Sequence, residues 1–256
     1  MNQYEIKQEL QTDKYDFLRE RKDIILLTLA GSHAYGVDVE TSDLDLRGIY
    51  LNSPEEILLM NDSQSYLNNT TDTTLYSFNY IVQLLTKGNP NLLELLGSKP
   101  EHYFKLDEIG EKLIQNKKWF LSKKCIPAFY GYAYSHAHKI KHLLQINKDE
   151  PSVDRDKKIC KCMYHTLRIY MIGTDILEQA EIITYREKER DLLLSIRSGD
   201  FYKDGQVTEE FYKMIKAYRN HYAKAAESTL LPDCPNLDEI NKFRMEVNLH
   251  AVQQGV

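Results

Sequence analysis

Residues 24–51 constrain this chain more than any other stretch. Ile24-Ile25-Leu26-Leu27-Thr28-Leu29-Ala30 is an apolar run rich in strand formers, too short for a typical helix, and it stops at Gly31-Ser32. About a dozen residues later, Asp43-Leu44-Asp45-Leu46-Arg47-Gly48-Ile49 alternates polar and apolar, as a strand with one solvated face does. Read as a strand over 43–51, it sets Asp43, Asp45 and Arg47 on one face. Aspartate is a poor strand former, so two of them beside a glycine turn point to a bound ligand rather than to solvated strand positions.

The remaining pattern is mixed, then helical. A helix is expected over 3–20, a third strand over 66–77 and a helix over 78–87. Gly88 can end that helix, Asn89 can cap the next, and Pro90 suits a first helical turn. Beyond about residue 106 strand signals fade, and helices are expected near 107–121, 127–146, 155–181, 186–198, 208–228 and 236–250. The fold class is therefore α+β. A small domain with a mixed sheet and flanking helices, residues 1–110, is followed by a helical domain, residues 111–256, with the border falling within 105–125. No repeat or low-complexity tract interrupts it.

Paired carboxylates two residues apart on one strand repel, and a divalent cation relieves the repulsion; oxygen donors suit Mg2+ or Mn2+. Gly31 permits a tight turn and close approach of a ligand, and Ser32 offers a hydroxyl and a backbone N–H at the start of a short helix, a place that favours phosphate. Ser32 is equally suited to cap that helix. A phosphate cradle beside paired carboxylates is what nucleotidyl transfer requires.

The ordered text Gly31-Ser32-His33-Ala34-Tyr35-Gly36 and Ser42-Asp43-Leu44-Asp45-Leu46-Arg47-Gly48 resembles the nucleotidyltransferases of the DNA polymerase β superfamily, specifically the RNA-ligase-associated (RlaP-like) branch. Lys87-Gly88-Asn89-Pro90-Asn91, Leu93-Glu94-Leu95-Leu96, Lys161, Tyr164-His165 and Leu167-Arg168 match the same branch, so the resemblance spans about residues 24–200. It implies a polymerase-β-like catalytic domain that moves an NMP from an NTP such as ATP to a hydroxyl, with release of pyrophosphate. It also implies a third acidic residue on a later strand, for which Asp72 is the first candidate and Asp62, in a turn-like Asn-Asp-Ser, the second. The branch name suggests an RNA end as acceptor and a role near RNA repair. Two rivals stand beside this reading: nucleotidylation of a protein or small molecule, and a nucleotide-binding module without turnover.

Other residues carry more than one reading each. His33 and Tyr35 flank the cradle and either touch the nucleotide or pack as aromatics. Arg47 either orients Asp45, holds a triphosphate oxygen or forms a structural ion pair. Lys161, His165 and Arg168 share one helix face, which either lines the cleft or is a solvated stripe. Tyr130, Tyr132, Tyr134, His136 and His138 form an aromatic run that either stacks on bases or packs. Charge is uneven: residues 112–168 hold 13 Lys and Arg against 4 Asp and Glu, whereas residues 1–111 hold 9 against 19. A basic middle opposite an acidic metal domain suits phosphates held between them.

No apolar run approaches the roughly 20 residues of a membrane span, no signal peptide is visible, and Cys125, Cys160, Cys162 and Cys234 lack zinc-site spacing. A cytoplasmic chain with free thiols is expected. Oligomeric state is not written in the sequence.

Overall fold

The computed structural model describes residues 3–61, 63–146 and 152–255. The elements run α1 (Gln3–Glu9), α2 (Asp16–Glu20), β1 (Ile24–Leu29), α3 (Gly31–Tyr35), β2 (Leu46–Tyr50), α4 (Pro54–Leu58), β3 (Ser65–Asn68), β4 (Thr73–Ser77), α5 (Phe78–Leu85), α6 (Pro90–Leu96), β5 (Tyr103–Leu106) and α7 (Glu108–Gln115). Then come α8 (Cys125–Gln145), α9 (Val153–Gln179), α10 (Arg190–Ser198), β6 (Tyr202–Lys203), β7 (Gln206–Val207), α11 (Glu209–Ser228) and α12 (Leu237–Gln254). The architecture is α+β: a five-stranded mixed sheet with flanking helices, then a helical region.

The sheet order is β3-β4-β2-β1-β5. β1 lies between β2 and β5, antiparallel to both, and every one of its residues is buried. That double burial is why it reads as an unbroken apolar run rather than an alternating one. β2 and β4 are parallel, with Leu46 opposite Thr73 and Arg47 opposite Thr74.

Two apolar cores flank the sheet. One joins Ile25, Leu26 and Ile49 to α5, α6, α7, α8, α9 and α12. The other joins Ile24, Leu27, Leu29, Leu46 and Leu75 to α1, α9, α10 and α11. The long helix α9 contributes to both cores and packs against α8, α10 and α11. Ser152 starts α9 by accepting the N–H of Arg155, and Ala180 ends it in the left-handed region at φ 52°.

Four sequence expectations change. The helix expected over 3–20 is broken: the Thr12 hydroxyl donates to the Glu9 carbonyl, and a single 3-10 turn at Asp13–Tyr15 separates α1 from α2. The strand expected over 66–77 is a hairpin, β3 and β4, turned at 69–72, where Asn68 accepts the N–H of Thr70. The strand expected over 43–51 begins only at Leu46. β5 and the β6–β7 hairpin were not anticipated. Asn89 precedes α6 as expected but caps only through its backbone carbonyl; its side-chain oxygen is buried without a partner. The four cysteines are free thiols, three of them buried. Among the described residues no helix is long and apolar enough to cross a membrane.

Candidate active site

At the end of β1 the chain turns into α3, and the parallel β2–β4 pair brings two carboxylates beside that turn. The register that pairs Leu46 with Thr73 makes Asp45 and Asp72 neighbours at the starts of adjacent strands, and the Leu46 N–H donates to the Asp72 carbonyl over 3.2 Å. On the other side the Ala30 N–H donates to the Asp45 carbonyl over 2.9 Å. Asp43 and Asp45 thus lie in the extended lead-in to β2 rather than within it. Asp72 is a turn residue with φ 44°, a conformation that aspartate tolerates better than most side chains. Asp62, the second candidate, lies outside the described residues.

A cleft of about 510 Å3 opens over these groups. The structure places Gly31, Ser32, Tyr35, Asp43, Asp45, Arg47, Asp72, Lys161 and His165 in its lining. His33 is not among them. It is 4% exposed, its Nδ1 is 3.5 Å from the Asp38 carboxylate, and its Nε2 is buried without a partner. Helical spacing explains the difference: Ser32 and Tyr35 are three apart and share a face, whereas His33 is turned about a quarter-circle away from Ser32.

Asp45 carries a shifted pKa. Burial pushes its pKa above the ordinary aspartate value, the charge of Asp72 pushes it further, Lys161 and Arg47 oppose the shift, and Asp43 adds to it. The three aspartates and two cations therefore feel one another across a partly dry site. Among the described residues no three His, Cys, Asp or Glu side chains converge tightly enough to hold a metal as they stand. The donor set nonetheless fits a divalent cation: hard carboxylate oxygens brought together on adjacent backbone segments meet the chemistry Mg2+ or Mn2+ asks for.

Gly31 is required by two independent facts. Its φ is +58°, and a Cβ there would sit 1.7 Å from Asp45 Oδ2. Gly31→Ala should cost about 1–2 kcal/mol from the backbone alone and should also push Asp45 off its seat. Melting curves read the first effect and any catalytic assay the second. A variant that melts and acts like wild type would remove Gly31 from the site.

The helical region builds the opposite wall. Lys161 is exposed on α9 and faces the carboxylates. Arg168, on the same helix face, does not reach the cleft. It is fully buried, pairs with Glu94 of α6 over 2.6 Å, and lies with its guanidinium 3.5 Å from the Tyr35 ring centre. Its other nitrogen is 3.3 Å from His165 Nδ1. Arginine is always a donor, so Nδ1 must accept and Nε2 must carry the proton. His165 is also held well below its ordinary pKa, first by burial and then by Arg168. It is thus neutral near pH 7, and its contribution to the cleft is a ring and one N–H rather than a positive charge. It stacks between Tyr164 and His136, with ring centres 4.4 and 5.2 Å away. Burial pushes His136 down to about 4, so it is neutral as well.

Sequence reading missed Arg197 and, as cleft residues, Asn91, Tyr132 and His136. Arg197 of α10 donates to the Val37 carbonyl and to the Ser42 hydroxyl, tying down the loop that carries Asp43. Asn91 gives its carbonyl to Arg47 at 3.4 Å. Arg47 has no carboxylate within ion-pair distance among the described residues, which sets aside the structural ion pair. In the aromatic run the i, i+4 spacing was the usable signal: Tyr132 and His136 face the cleft, while Tyr130, Tyr134 and His138 face away.

A mixed sheet with a Gly-Ser turn and acidic residues at the lead-in to the next strand defines the polymerase-β type of nucleotidyltransferase domain. The profile of the RNA repair pathway DNA polymerase beta family, RlaP, matches residues 4–246, and the chain belongs to that family. It is also similar to an uncharacterized 38.9 kDa protein of the nrdC-mobD intergenic region of Enterobacteria phage T4, with 28% identity over 122 residues. That match spans 43% of this chain and 36% of the phage protein.

Proposed function

We propose that this chain is a metal-dependent nucleotidyltransferase that moves an NMP from an NTP to an acceptor hydroxyl. The observation that carries the reading is the adjacency of Asp45 and Asp72 across the parallel β2–β4 register, beside the glycine turn at Gly31-Ser32. A bound Mg2+ or Mn2+ would be held by Asp43, Asp45 and Asp72 and would supply neutralisation of triphosphate charge. The N–H groups of the first turn of α3 and the Ser32 hydroxyl face the phosphates. Lys161 and Arg47 stand against the same phosphates from the far wall and the sheet. In the transfer, the acceptor oxygen bonds to the α-phosphorus, the bond from that phosphorus to the bridging oxygen breaks, and pyrophosphate leaves with the electron pair. The hydroxyl proton departs into the carboxylate cluster.

Family membership favours an RNA end as acceptor. Protein or small-molecule nucleotidylation remains the rival, and a binder without turnover is disfavoured by three mutually repelling carboxylates at one site, which a non-catalytic module does not need. Incubation with α-labelled NTPs, Mg2+ and either RNA or protein acceptors separates the three readings.

Binding gives an activity-independent check. ATP titrated calorimetrically should bind more tightly with Mg2+ than with EDTA, because the three carboxylates repel a bare triphosphate. Equal affinity in the two conditions would overturn the metal reading.

A further inference from the structure

On the side of α8 away from the cleft, a second cavity of about 290 Å3 lies between α8, α9 and α11. Tyr130 and Tyr134 form one wall as a stacked pair, with ring centres 6.3 Å apart and planes 19° from parallel. Tyr212 contributes from α11. These three rings are 44%, 58% and 47% exposed, unusual for large apolar groups sharing one concavity. Lys141, Lys216 and Arg219 complete the rim. None of the three has a carboxylate within ion-pair distance among the described residues, and no aspartate or glutamate lines the cavity. The whole of α8 is without an acidic residue, although the chain as a whole is acidic.

We propose that this groove binds a single-stranded polynucleotide, stacking one or two bases on Tyr130, Tyr134 and Tyr212 while Lys141, Lys216 and Arg219 hold the flanking phosphates. Unpaired cations on one rim ask for a polyanion, and exposed rings in the same cavity ask for flat apolar faces; single-stranded nucleic acid carries both at each repeat. An extended acidic peptide would satisfy the cations but needs backbone partners, and three helices with internally bonded backbones offer none. The small volume limits the grip to a short stretch. The groove shares no residue with the cleft, so the proposal does not rest on the reading of that site.

The test uses the full chain in EDTA without NTP, and follows the anisotropy of short labelled single-stranded RNA and DNA at several salt concentrations. Both should bind, with affinity falling as salt rises. Lys141→Gln/Lys216→Gln should reduce the log–log salt slope by about 1.4, since each phosphate contact on a single strand contributes about 0.7. Tyr134→Ala should weaken binding at least about fivefold, the low end for one lost stacked base. A matched control, Lys188→Gln/Lys203→Gln, should leave both readouts alone, and all variants should melt like wild type because the replaced side chains are exposed. The proposal is overturned if the control lowers the slope as much as the groove variant does. It is equally overturned if Tyr134→Ala binds like wild type, or if poly-glutamate displaces the oligonucleotide at equal charge concentration. RNA binding without DNA binding would keep the groove and assign it to contacts with the 2′-hydroxyl.

Discussion

Asp45→Asn is expected to reduce nucleotidyl transfer by about 100- to 1000-fold or more, the usual cost of removing one group that meets transition-state charge, while leaving the chain folded. The second half of that expectation separates a metal ligand from a packing residue. Asp45 has a raised pKa, first through burial and then through Asp72. A carboxyl whose pKa rises on folding holds its proton more tightly in the folded state. Its favourable contribution is therefore present below the unfolded value, near 3.8, and is lost as pH climbs through the raised value. At neutral pH the ionised Asp45 burdens the metal-free protein, and asparagine lifts that burden. The metal-free variant should melt no lower than metal-free wild type at pH 7, and its advantage should vanish on acidification below about pH 4. Mg2+ should raise the melting temperature of wild type more than that of the variant, by mass action on the folded state. Melting curves across pH, with and without Mg2+, decide the matter. A variant that is clearly less stable at pH 7, with activity lost only in proportion to unfolded protein, would make Asp45 a structural residue.

Much of this site was legible because local signals and tertiary needs agree. The run over 24–30 announces β1 because a strand buried on both faces has no polar side to show. Gly31 announces a turn that no other residue can make against Asp45. The long helices appear within a few residues of their expected ends because each buries a periodic face and several carry side-chain caps, such as Ser152, Thr208 and Asn236. The failures have equally local causes. Alternation over 43–49 continues into the lead-in to β2, since an extended segment alternates whether or not it is paired; hydrogen-bonding partners, which the sequence does not display, decide where a strand begins. Asn68-Asn69-Thr70 inside a β-branched run was a turn signal that the threonines masked. Asp204-Gly205, both at positive φ, is the residue pair that a two-residue hairpin demands, and it was there to be read. Arg197 carried no such mark. It enters the site from more than 150 residues away, and only the packing of α10 against α9 and the loop after α3 reveals it.

Breaking the Glu94–Arg168 pair is expected to be the most destabilising single change in the chain. Both side chains are buried, at 3% and 0% exposure, and one bond of 2.6 Å joins α6 to α9 beneath the cleft. Glu94 Oε2 and Arg168 Nε have no partner, so the pair is only partly satisfied. Removing one member leaves the other charged in a dry site. Arg168→Met or Glu94→Gln should each cost about 3–5 kcal/mol in denaturant unfolding. The double change Glu94→Leu/Arg168→Met removes both charges together and should cost less than either single change, because the desolvation of the ions disappears with them. Additive single effects would mean that the two residues are not coupled. The double variant also isolates the site chemistry. It is expected to fold, yet His165 loses the donor that fixed its Nδ1 as acceptor. Nitrogen NMR of the imidazole should then show a mixture of tautomers in place of one, and transfer should fall further than the folded fraction explains. A double variant with a single His165 tautomer and full activity would confine Arg168 to holding α6 against α9. A mixed tautomer with lowered activity would make the same buried guanidinium a support of the fold and a positioning residue for the cleft.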